Sequence, residues 1–188
     1  MRNTNSRLSY FGKACLSVAC ALFFSACDVT FINPLPDSLS FARDERLLGR
    51  WKALDKKERP NHVTFNSGSD GEFIIHSEAG DPAMVLRARA LKIDESSYMV
   101  LNDSDTTKRK GYLLAKYVIT GDRMKIWLVD EKKVRQAVTD GKLKGEIGKE
   151  TYAGVTVTDT PEKILDYLKT TGDDAFEFLV DFEKVADK

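Results

Sequence analysis

The sequence predicts a mainly β domain: an antiparallel meander of eight or nine strands, closed or partly closed into a barrel, with two short helices. Three observations carry this expectation. From Leu47 onward, apolar and polar residues alternate with period two in a series of short runs. Polar turns, most of them containing glycine, join neighbouring runs, which favours hairpins over crossovers. Only the stretches 131–139 and 161–170 break the alternation, with helical spacing between capping residues. A meander of this many strands removes its exposed edges by closing on itself.

Composition sets the outer bounds. The 188 residues are 42% apolar and 31% charged, as expected of one ordinary domain with length to spare for a leader. Formal charge is zero, but residues 1–26 hold Arg2, Arg7 and Lys13 and no acid. The remainder therefore carries 26 basic against 29 acidic side chains. Such a surface has no broad positive field, so nucleic acid is not expected as a partner. The three cysteines are Cys15, Cys20 and Cys27, so nothing after residue 27 can form a disulfide within the folded part. Its stability must come from the core.

The N-terminus reads as a secretory signal peptide over 1–26. Residues 1–13 are basic and 14–26 are apolar or small. Thirteen residues of helix span about 20 Å, short of the ~30 Å hydrocarbon core of a bilayer. The end of this run, Phe24-Ser25-Ala26-Cys27, resembles the bacterial lipobox, the small-small-Cys site of lipoprotein signal peptidase. Phe24 stands where that family carries Leu or another aliphatic. The resemblance implies cleavage before Cys27, a diacylglycerol thioether on its sulfur and an amide-linked acyl chain on the new amino group. The membrane is then a partner through the acyl chains on Cys27, each buried methylene contributing about 0.8 kcal/mol. Asp28 resembles the enterobacterial signal that avoids outer-membrane sorting, which implies an inner-membrane lipoprotein facing the periplasm, with the outer membrane as the alternative. Residues 27–40 follow as a lipidated N-terminus and spacer. Pro34 and Pro36 favour an extended chain there, keeping the domain over 41–188 close to the bilayer.

The elements of that domain follow in order. The first strand opens at Leu48-Gly49-Arg50-Trp51, and HVTFN (62–66) and EFIIHSE (72–78) flank a polar turn. AMVLRARALKI (83–93) and SYMVLN (97–102) flank Asp94-Glu95-Ser96, and GYLLAKYVI (111–119) and MKIWLV (124–129) flank Thr120-Gly121-Asp122-Arg123. Asp130 can cap a helix over 131–139 that Gly141 ends. Asp159 or Thr160 can cap a second over 161–170, with Pro161 at its first position and Gly172 beyond its end. Its stripe of Ile164, Leu165 and Leu168 lies against the sheet or closes a barrel mouth. The last strand, AFEFLVDFE (175–183), places Phe176, Phe178, Val180 and Phe182 on one face, with Leu179 the exception to the alternation.

Gly49-Arg50-Trp51 resembles the Gly-x-Trp opening of lipocalin-like barrels and starts the first strand as it does there. The resemblance implies structural roles for Gly49 and Trp51 at the barrel floor. No partner arginine from a late strand can be matched to it.

Chemistry is sparse. His62 and His76 are the only histidines, and no ligand spacing around them suggests a metal. GEIGKET (145–151) departs from a phosphate loop at Leu143 and Glu150, and DSDTTK (103–108) has Lys108 where a calcium loop needs glycine. The runs KKER (56–59), KRK (108–110) and KKVR (132–135) read as solvated surface. No catalytic residue, cofactor or metal is expected, and the protein does not read as an enzyme. Two binding readings remain: a membrane-anchored module for a small hydrophobic or amphiphilic ligand inside the barrel, or a filled barrel that docks an envelope protein on its outer surface.

Overall fold

The computed structural model describes residues 29–33, 35, 36, 39, 41, 43–54, 62–78, 85–103, 111–148 and 154–186. In chain order the strands are β1 (Val29–Phe31), β2 (Gly49–Ala53), β3 (His62–Ser67), β4 (Phe73–Ser77), β5 (Val85–Ile93) and β6 (Ser96–Asp103). They continue as β7 (Leu113–Thr120), β8 (Arg123–Val129), β9 (Gly145–Ile147), β10 (Val155–Val157) and β11 (Phe176–Lys184). The helices are α1 (Glu131–Thr139) and α2 (Pro161–Thr171).

Eight strands close a barrel in the order β11-β2-β3-β4-β5-β6-β7-β8, every neighbouring pair antiparallel. The predicted hairpins are all present, with two-residue turns at Asp94-Glu95 and Gly121-Asp122. Seven barrel strands run consecutively. The eighth, β11, arrives only after both helices and two small strands, so the meander is interrupted before it closes.

Two apolar cores result. One fills the barrel with inward residues such as Trp51, Phe65, Phe73, Met99, Met124 and Phe182. The other lies outside, where Leu91, Ile93, Tyr98, Leu114 and Val129 of β5 to β8 meet the helices and a three-stranded sheet. Alternation explains this division: in β6, Met99 and Leu101 point in while Tyr98 points out, and both faces are covered. Asp130 caps α1 by accepting from the amides of Lys132 and Lys133, and Thr160 caps α2 by accepting from that of Lys163. Ile164 and Leu168 of α2 are buried in the outer core, so this helix lies against the sheet.

Two expectations are corrected. In β11 the register jumps between Phe178↔Trp127 and Val180↔Ile126. This bulge at Leu179 divides the expected aromatic face. Val180 and Phe182 pack into the barrel, Phe176 joins the outer core, and Phe178 is 52% exposed. The segment expected as a free spacer is, over Val29–Phe31, the parallel partner of β10 in a sheet ordered β1-β10-β9. Val29, Phe31 and Leu35 are buried in the outer core. A three-residue strand is too short to show periodicity, and its partner is more than a hundred residues away.

Candidate functional site

One end of the barrel is shut by a 3-10 turn at Glu45–Leu47, whose Leu47 is fully buried. Trp51 Nε1 donates to the Leu47 carbonyl at 2.8 Å, which satisfies a buried donor and fixes the turn over the strands. Lys184, next to Trp51 in the β11–β2 ladder, sets its ammonium 5.2 Å from the indole centroid and donates to the Arg46 carbonyl at 3.3 Å. The cation that the late strand sets against Trp51 is thus a lysine. Gly49 has φ +112°, a backbone conformation that calls for glycine, and a Cβ there would lie 3.2 Å from Lys184 Cε.

Polar groups complete this floor. Tyr117 Oη donates to Asp44 Oδ2 at 3.0 Å, and the Arg46 guanidinium binds both Asp44 oxygens at 2.8 and 2.7 Å. The Arg46 hydrogen bonds hold the Asp44 carboxyl below its usual range against the opposing effect of burial, with Tyr117 adding to the lowering. Burial first, and the Asp44 charge second, push the Tyr117 phenol well above its ordinary value. These groups are satisfied by one another. Together they tie the turn at residues 45–47 to β7.

Among the described residues the interior leaves a cavity of about 30 Å³, lined by apolar side chains including Val63, Ile75, Met99 and Phe182, together with Ser77. That is room for a water or two, against the ~300–1,000 Å³ of a small-molecule site. Eight strands enclose a space that side chains can fill, and the described inward residues occupy it. A depression of about 470 Å³ between α1 and α2 is open to solvent and lined by charged and polar side chains such as Lys133, Asp140, Lys163 and Asp166.

The outer wall offers more. Trp127 and Phe178 are register partners in β8 and β11, their ring centroids 5.8 Å apart and their planes at 72°. The bulge at Leu179 turns Phe178 outward, and Val118, 45% exposed, lies diagonally beyond Lys125 on β7. Charged pairs flank the apolar spot: Lys116 with Asp173, and Arg123 with Asp181 at 2.8 Å. An aromatic centre with a charged rim is the composition of a protein-binding surface. Sequence reading missed it by assigning Phe178 to the core; the break at Leu179 was the available signal.

Cys27, Phe24, Ser25, Ala26 and Asp28 lie outside the described residues, as do the runs 56–59 and 108–110. His62 Nδ1 stands 3.4 Å from Glu78 Oε2, which also accepts from Arg50 at 2.8 Å, in a surface network. His76 is exposed on β4. In α1, Lys132 and Lys133 are solvated and Arg135 pairs with Glu131. Among the described residues no cluster of His, Cys, Asp or Glu could hold a metal ion. No helix there is long and apolar enough to cross a membrane. Comparison with protein-family models, curated proteins and solved structures finds no match.

Proposed function

We propose that this chain is a membrane-anchored lipoprotein whose lipocalin-like barrel is a docking module for an envelope protein. The anchor is the acylated Cys27, with Phe24, Ser25 and Ala26 as the cleavage-site residues and Asp28 directing retention in the inner membrane, facing the periplasm. The observation that carries the docking reading is the pairing of a filled interior with an outward aromatic couple. Among the described residues the interior holds space for water but not for an amphiphile. Trp127 and Phe178 meanwhile present an edge-to-face pair to solvent. Placing a half-exposed phenylalanine there leaves apolar area in water, and a partner that covers it recovers about 25 cal/mol per Å².

The test is a photo-crosslinking residue at position 178 in cells that make the full chain, with position 66, an exposed site on β3, as the control. The expected result is one discrete protein adduct from position 178, absent from position 66 and lost when Trp127→Ala is added. Lipid adducts alone, or equal adducts from both positions, would contradict the reading.

A further inference from the structure

β1 is fastened along its whole length. It pairs with β10 through Val29↔Val155, Thr30↔Thr156 and Phe31↔Val157. On its other side, Phe31 and Tyr112 exchange two backbone hydrogen bonds of 2.9 and 2.8 Å. Just beyond, Ile32 donates its amide to Val157 at 2.9 Å, and Asn33 Nδ2 donates to the Asp159 carbonyl at 2.7 Å. Val29 itself has no exposed surface.

Cys27 precedes Val29 by two residues. At ~3.3–3.6 Å per residue, its Cα must lie within about 7 Å of the Val29 Cα. The chain therefore meets the body of the domain almost at once, with no free linker between anchor and fold. Because β1 runs parallel to β10, it enters where β10 begins and β9 ends, at the edge marked by Val155 and its ladder partner Ile147. Ile147 is 36% exposed, an apolar side chain beside the point of entry.

We propose that this edge of the three-stranded sheet rests on the lipid bilayer, with Ile147 at the headgroup boundary, so that the anchor holds the domain in one orientation. The inference rests on acylation of Cys27 as read above. The bilayer is the occupant because acyl chains attached within about 7 Å of Val29 bring the membrane to this edge ahead of any other surface.

The folded chain has no cysteine after residue 27, so an introduced thiol is unique once Cys27 is acylated. Ile147→Cys and His76→Cys, both at exposed sites and the second on the uncovered wall of β4, are labelled with a fluorophore in the full-length lipoprotein. Each is reconstituted in phosphatidylethanolamine–phosphatidylglycerol vesicles carrying a headgroup nitroxide, and intact mass is taken on the same sample. The expected result is acylated protein in which the label at 147 is quenched at least threefold more than that at 76. Acylated protein with equal quenching at the two sites, or with none at 147, overturns the fixed orientation while leaving the anchor in place. Protein whose mass shows no lipid on Cys27 removes the anchor reading, and the orientation falls with it.

Discussion

Lys184 and Trp51 show how two side chains close one end of a barrel. The ammonium lies over the indole while donating to the Arg46 carbonyl, and the indole N–H is bonded to the carbonyl of Leu47. Lys184→Ala removes both the cation–π contact and the hydrogen bond, and the expected loss is about 1–2 kcal/mol in urea unfolding. Lys184→Arg keeps a cation that can stack and donate, so its unfolding free energy should stay within about 0.5 kcal/mol of the parent. Asp159 is the corresponding group outside the barrel. It is buried, and its two oxygens accept from the amides of Lys144 at 2.8 Å and Thr160 at 2.9 Å. Burial acts to raise its affinity for a proton, but the two amide donors together with the charges of Lys144 and Lys163 outweigh burial and hold the carboxyl below its usual range. A lowered folded value stabilises above the unfolded value of about 3.9, and that stability is lost as pH falls through the folded value. Asp159→Asn turns a donor toward one of those amides, so it should cost about 1–3 kcal/mol at pH 7. The difference from the parent should shrink below about pH 4, as read by urea unfolding at both pH values.

At the scale of elements, β1 joins the N-terminus to the body. Gly111, at φ +115°, lies against it: a Cβ there would meet Thr30 Cγ2 at 2.5 Å and the Phe31 carbonyl oxygen at 2.7 Å. Gly111→Ala should therefore displace β1 while leaving the barrel ladder intact. The expected signature is faster amide exchange at Phe31 and Ile32, with the amides of β3 and β4 unchanged. Barrel hairpins were legible in the sequence because each combines alternation with a polar turn, and both helices because each has a capping residue and a stop. β1, β9 and β10 were not, since three residues show no period and a parallel pairing across most of the chain has no local signal. Leu179 lies between these cases. It broke the alternation in β11, and that break is the bulge itself. Reading it as a lone exception put Phe178 in the core and hid the aromatic pair on the outer wall. Lys184 was overlooked for a chemical reason: only an arginine was sought on the late strands, and a lysine packs on Trp51.

The whole molecule stacks two apolar cores on the two faces of one set of strands. Among the described residues the inner core fills the barrel, and the outer core secures the strand that follows Cys27. On the proposed reading, such a protein has a fixed point of attachment at one edge and leaves its remaining wall open to a partner. We propose above all that this barrel is tethered through Cys27 and holds no ligand inside. Native mass spectrometry of the full-length protein, extracted from its membrane in a detergent removed in the gas phase, tests both parts together. The predicted result is a chain beginning at Cys27, heavier by its covalent acyl groups and by no other small molecule. A stoichiometric non-covalent amphiphile, or a chain beginning at Cys27 without lipid, would contradict it.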